Sequence, residues 1–173
     1  MSKRPLAGLA TAALAAMGTA QIAAMGTAQL AALSTDQIIA LSTQQAATLS
    51  THQITGLGTD QVAAIATDDL RALSTASIRA LNTEQVNALT TDQAPALSTA
   101  QIAAITSGQI PGVATDDLQS LTTDQARSLS SAQLRAFNTE QISTIATDGK
   151  NLMKRVIHMP NQPNAPIEVV PAM

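Results

Sequence analysis

Leu33-Ser34-Thr35-Asp36-Gln37-Ile38-Ile39-Ala40 runs without a break into Leu41-Ser42-Thr43-Gln44-Gln45-Ala46-Ala47-Thr48 and then into Leu49-Ser50-Thr51-His52-Gln53-Ile54-Thr55-Gly56. Self-similarity at a fixed period decides an architecture before local propensity does. Extended in both directions, the same octad, Leu-Ser-Thr-x-Gln-Ile-x-Ala, fills residues 9–152 with eighteen units.

The positions of the octad are constrained very differently. Position one is apolar in all eighteen units, and position six is aliphatic in fourteen, Ala at Ala46, Ala94 and Ala126, and polar only at Lys150, where the array stops. These are two buried rows. Position eight is small in seventeen units, Gly56 and Gly112 among them, which suggests that another piece of backbone passes close by. Position three is Thr in sixteen units and Ser in two, Ser107 and Ser131. Positions four and seven vary freely.

A hydroxyl in every unit, followed in nine units by an acid at position four (Asp36 and Asp60 through Glu140 and Asp148), describes a helix N-terminus. The hydroxyl satisfies a free backbone N–H and the acid complements the positive end of the dipole. Arg71, Arg79, Arg127 and Arg135 all fall at position seven, near the other end of the same short helix. Two cap registers fit. Position two gives a Ser-x-x-Gln capping box with a hydrophobic staple between positions one and six. Position three is preferred, because position two is Ala at Ala66, Ala114 and Ala146; Thr83, for example, is then expected to carry a cap.

A continuous helix does not fit, since eight residues turn through about 800° and the apolar rows would wind around the axis. Pro95 and Pro111, both at position seven, would break a long helix but are tolerated at the end of a short one. The reading is therefore an all-α solenoid in which each octad is one short capped helix. A β-solenoid is the alternative, since Thr and Gln can stack in ladders. It is disfavoured by the helix-forming composition and by the odd offset between positions one and six, which no single strand can face inward together. From Asp60 onward position four reads acid, acid, Ala in Asp60, Asp68, Ala76 and Glu84, Asp92, Ala100, which points to three units, or 24 residues, per coil. The same pattern fits a duplication of 56 residues, in which the stretch beginning at Leu73 recurs at Leu129.

Composition narrows the function. With Phe137 the one aromatic residue, and no Cys, Trp or Tyr, any core is made of thin aliphatic layers, as in a solenoid. A net charge of −3 with only 12% charged residues supplies no field for a phosphate backbone, so no nucleic-acid partner is expected. A Thr interrupts every octad, leaving no apolar run of spanning length, so no membrane insertion is expected either. Met1 to Ala20, with Lys3, Arg4 and the small Gly18-Thr19-Ala20 site, has the outline of a secretion signal. Leu9, Thr11, Leu14, Ala16, Met17 and Thr19 already stand in register, however, and residues 1–8 alone are read as an N-terminal lead. Residues 9–152 are the solenoid. Residues 153–173, with Pro160, Pro163, Pro166 and Pro171, are a cap, linker or docking segment.

No reactive constellation stands out. His52 and His158 have no nucleophile or ligand at informative spacing and read as surface residues. The doublets Asp68-Asp69 and Asp116-Asp117 could hold a cation only if coils stacked them, and read instead as dipole complements plus an Asp standing where other units have Gln. Gln at position five, present in thirteen units from Gln21 to Gln141, is expected to be structural, as an amide ladder or a bond to the neighbouring coil's backbone. The flat Thr row could suggest ice binding, but a capping hydroxyl would already be engaged.

The octads at Leu33 to Ala40 and Leu97 to Ala104 resemble arrays in very large bacterial surface or secreted proteins of the haem-utilisation and filamentous-haemagglutinin-like kind. That resemblance implies a secreted or cell-surface spacer or adhesive stalk, with no catalytic residue carried over. The expectation is thus a non-enzymatic structural or interaction protein, with no catalytic, cofactor-binding or metal residue, whose partner is a protein or another copy. Its functional surface lies on positions four and seven, and the alternative is a filament or scaffold subunit stacking through the solenoid ends.

Overall fold

Up to the last described helix, each octad spends two residues in extended backbone and the rest in a helical turn. The N-cap residue at position two is extended (Ser34 φ −74°, ψ 164°), the helix follows, and position eight closes it near φ −80°, ψ −5° (Ala40). A computed structural model of the chain describes residues 10–147. Among them it contains sixteen short α-helices, from Thr11–Ala15 to Thr139–Thr147, with no strand. The chain is an α-solenoid. The lead 1–8, the tail 153–173, His158 and Lys150 lie outside the described residues.

The helices are four to six residues long, as in Gln93–Ala96 and Thr67–Ala72, and only Thr139–Thr147, with nine, runs on through a unit boundary. Such a helix makes too few internal bonds to stand alone, so tertiary packing must hold it. That packing comes from the two apolar rows. Position six is almost wholly buried from Leu14 to Leu134, with Ile142 exposed beyond it, position one (Leu33, Leu41, Leu49 and onward) is nearly so, and together they form one cluster reaching from Leu14 to Phe137. The prolines act locally. Pro95 sits inside the four-residue helix Gln93–Ala96, and Pro111 lies in a 3-10 turn, Ile110–Gly112, which replaces the α-helix of its unit.

Helices pack against the helix three units away, Thr43–Ala46 against Thr67–Ala72 and Thr75–Ala80 against Thr99–Ala104. The polar links between turns reach further, 28 and 31 residues back. Those links join position five to positions one and six, and the helix packing, on the unit three back, agrees with the three octads per coil suggested by the acids at position four.

Position eight is small for the reason expected. A Cβ on Gly56 would stand 3.0 Å from Cβ of Thr27, and one on Gly112 would stand 2.5 Å from the carbonyl oxygen of Thr83. In both cases position eight lies against position three of the unit three back.

Candidate functional site

Gln at position five works both within its unit and across turns. In Gln85, Oε1 accepts the backbone N–H of Asn82 at 2.9 Å, and the backbone N–H of Gln85 donates to Asn82 Oδ1 at 2.8 Å. This reciprocal pair is a capping box, and it satisfies two of the donors that a helix start leaves open. The other end of the amide then reaches the turn below, where Nε2 donates to the carbonyls of Ile54 at 2.9 Å and Leu57 at 2.8 Å. Those carbonyls close the preceding turn's helix and start its next unit, so one side chain stitches a helix start to a helix end. The same double bond to residues 31 and 28 positions back recurs from Gln45 on Leu14 and Met17 to Gln141 on Ile110 and Val113. The amides from Gln37 onward are at most 7% exposed, which places the clamp inside the solenoid.

The cap is thus position two, not position three. Ser34, Ser42, Ser50, Asn82, Ser98, Thr122 and Ser130 each accept the backbone N–H of the residue three on, while Thr35, Thr43 and their equivalents stand at the first helical position with exposed side chains. The Ala residues that favoured the other register have a simple explanation. Ala66 and Ala114 belong to units that carry Asp69 and Asp117 at position five, so cap and clamp are absent together. Where Gly18, Gly26 or Gly58 stands at position two, its N–H still bonds the Gln amide, at 2.8–2.9 Å.

With one, two, five, six and eight engaged internally, positions four and seven are what the solenoid offers outward. Asp36, Asp60, Asp68, Glu84, Asp116, Asp124 and Glu140 lie in the first turns of their helices, and Arg71, Arg79, Arg127 and Arg135 in the last turns of theirs, all exposed. Arg127 reaches Asp124 of its own helix at 3.5 Å. Ile39, at position seven, is 57% exposed, the most exposed large apolar side chain among the described residues. His52 lies on the same band at position four.

The ALTTAQ repeat family matches the chain over residues 6–43, 62–99 and 113–147, well over half its length. The chain belongs to the ALTTAQ-repeat family. The family's name reads across a unit boundary, from position eight to position five, much as Ala88-Leu89-Thr90-Thr91-Asp92-Gln93 does here, and its final Gln is the clamp. The gap at 100–112 between matched segments ends in the 3-10 turn Ile110–Gly112. No curated protein and no solved structure matches the chain. No helix among the described residues is long and apolar enough to cross a membrane.

Three inner units of this ALTTAQ array lack the amide: Ser77 keeps a single link, its hydroxyl donating to the carbonyl of Leu49 at 3.4 Å, while the units of Asp69 and Asp117 break the clamp. Each aspartate doublet splits: Asp68 and Asp116 are exposed, while Asp69 and Asp117 are 4% and 2% exposed at the Gln position. Neither doublet presents both carboxylates to one site, and no cluster of three or more His, Cys, Asp or Glu able to hold a metal occurs among the described residues. A carboxylate accepts but cannot donate, so neither Asp can grip the carbonyls below. Asp69 keeps one partner, the hydroxyl of Thr43, and its carboxyl is raised by burial, with the bond from Thr43 opposing and the Asp68 charge adding to the shift. Asp117 Oδ2 is buried with no partner, and burial, with the Asp116 charge adding, pushes this carboxyl up to about 6.

Beside each Asp the packing is open. A cavity of about 30 Å³ lies next to Asp117, lined by Val86, Leu89, Val113 and the aromatic ring of Phe137, and one of about 10 Å³ next to Asp69, lined by Ile38 and Leu41. Val86 and Leu89, like Ile38 and Leu41, are the residues 31 and 28 back, whose carbonyls a Gln would have bonded in every other clamped unit. Each cavity is also lined by an alanine at position six, Ala46 beside Asp69 and Ala94 beside Asp117, so shortened side chains at positions five and six border both.

Proposed function

We propose that this ALTTAQ-repeat chain is a non-enzymatic interaction element, a spacer or adhesive segment of a bacterial surface or secreted protein, that binds protein through its outward band at positions four and seven. The observation that carries the reading is the division of labour within the octad. Positions one, two, five, six and eight are engaged in the fold, and the widest range of residue types falls at positions four and seven, which face outward. Residues facing solvent cost little to change, so sequence there is free to follow a partner. The compartment rests on the resemblance of Leu33 to Ala40 and Leu97 to Ala104 to octads of large bacterial exoproteins.

The test has two parts. Replacing Arg71, Arg79, Arg127 and Arg135 with Ala should leave the helical circular dichroism and melting temperature unchanged while abolishing retention on intact producing cells or on the isolated surface protein to which the native chain binds. Undiminished binding would refute the band. Protease treatment of intact producing cells should remove the protein; full protection inside the cell would refute the compartment.

Self-association is a second reading, favoured by small side chains that stand exposed at position eight of the first three units. Ala16, Ala24 and Ala32 are exposed, whereas position eight is half-buried or buried in every later unit up to Thr144.

A further inference from the structure

In a clamped unit the atom that spans two turns is a nitrogen. Nε2 of Gln125, for example, donates to the carbonyls of Ala94 at 2.9 Å and Leu97 at 2.6 Å. In the unit of Asp117 the same register, 31 and 28 residues back, assigns the carbonyls of Val86 and Leu89. The Val86 carbonyl keeps the helix-closing N–H of Leu89 at 3.2 Å, but neither carbonyl receives an amide from position five. Asp117 itself is 2% exposed, and its Oδ2 has no partner. A carboxylate and two carbonyls are all acceptors, so whatever joins them has to bring the donors.

The cavity of about 30 Å³ bordered by Asp117 provides the room, and every other residue lining it is apolar. A water-sized guest needs roughly 10–15 Å³, so this space takes a small guest and excludes a bulky one. Apolar walls screen a charge poorly, and ionised Asp117 therefore attracts a cation more strongly than a surface carboxylate does. Burial pushes its carboxyl up to about 6, an effect that a cation beside it opposes. The charged groups on the surrounding helices, Glu84, Asp92, Asp116, Asp124, Arg127, Arg135 and Glu140, are all exposed, and none of them lines the cavity.

The other inner units without Gln do not repeat this arrangement. Ser77 fills its own gap with a hydroxyl that donates to the carbonyl of Leu49. Asp69 has the hydroxyl of Thr43 as a partner, and the cavity beside it is only about 10 Å³.

We infer that the cavity at Asp117 binds ammonium, whose nitrogen takes the place of the missing Nε2 and whose charge pairs with the carboxylate. A water-sized cation with four N–H groups supplies donors for Oδ2 and for the carbonyls of Val86 and Leu89 together, in charge-assisted bonds. Asp117 with its ion then reproduces the Gln of the other units, and the link between these two turns depends on the ligand. The site lies inside the solenoid and is independent of binding through positions four and seven.

The experiment uses the full chain at neutral pH in salts of matched ionic strength. Relative to tetramethylammonium chloride, whose cation is too large for the cavity, ammonium chloride should raise the melting temperature saturably. The rise should be about 2–4 °C at about five times the dissociation constant. Asp117→Gln, which supplies the nitrogen covalently, and Asp117→Asn, which removes the charge, should both lose the response, while Asp69→Asn should keep it. At pH 4, well below where the Asp117 carboxyl titrates, the apparent affinity should fall by about a hundredfold. Isotopically labelled ammonium bound to the native chain should give proton cross-peaks to the ring of Phe137, which lines the cavity and is the one aromatic residue of the chain. Absence of a saturable shift, an equal shift with potassium chloride, whose cation is of similar size but has no N–H, or an undiminished shift in Asp117→Asn would each overturn the site.

Discussion

Replacing Asp117 with Gln should stabilise the protein, by an amount that depends on pH. Asp117 is 2% exposed and its Oδ2 has no partner. Its carboxyl titrates near 6 in the folded chain against 3.8 in the unfolded one, so the native state holds this proton more tightly. No penalty exists below pH 3.8; it grows as pH rises towards 6 and is complete above that. A shift of this size corresponds to roughly 3 kcal/mol of lost stability at neutral pH. A Gln at 117 removes that penalty and offers Nε2 to the carbonyls of Val86 and Leu89, across a cavity of about 30 Å³ that has room for the longer side chain. Two hydrogen bonds add about 1 kcal/mol each. Ala114 has no side-chain cap, but Gln61 forms the same clamp with Gly58, using only the backbone N–H at 2.9 Å. Thermal melts followed by far-ultraviolet circular dichroism, on wild type and Asp117→Gln side by side, should show the variant modestly more stable at pH 4 and more so at pH 7.5. A difference that does not change with pH would refute the buried, partnerless carboxylate. A variant less stable than wild type at pH 7.5 would refute the clamp register.

Three further substitutions test the octad. Thr83→Val should change stability by less than about 0.5 kcal/mol, because the Thr83 side chain is exposed at the first helical position, while Asn82→Ala should cost about 1 kcal/mol for the lost cap; the reverse order in urea melts would restore Thr as the cap. Gln85→Leu should cost about 3 kcal/mol or more, since it leaves the carbonyls of Ile54 and Leu57 and the N–H of Asn82 without their partner, and amide hydrogen exchange should quicken at Asn82. Gly112→Ala should cost at least about 2 kcal/mol in a thermal melt, because its Cβ would stand 2.5 Å from the carbonyl oxygen of Thr83, whereas Gly58→Ala, whose Cβ would lie 3.8 Å from Gln61 Oε1, should shift stability by under about 1 kcal/mol.

The α-solenoid, its two buried rows and the crowding at position eight were legible in the octad, because burial and close approach act on each position separately and recur in every unit. The cap was misassigned for a definite reason. Counting residue types column by column favours Thr, whose column is the more uniform, but a capping box is a property of two columns together. All thirteen units with Gln at position five have Ser, Thr, Asn or Gly at position two, and Ala66 and Ala114 stand with Asp69 and Asp117. Read as pairs, the columns name position two as the cap and Gln as its reciprocal partner. The same pairing was the available signal for the clamps lost at Asp69 and Asp117, which single columns had reduced to a change of polar residue.

An eight-residue period fixes where each helix starts, not which positions meet across turns, because those meetings lie in bonds between distant residues. The acids at position four suggested three octads to a coil, and each helix does pack on the one three units before it. Gln Nε2 adds what no single column could: from position five it reaches position one of the unit three back and position six of the unit before that, 28 and 31 residues away, so each clamp closes on the junction between two units and ties both to the turn above.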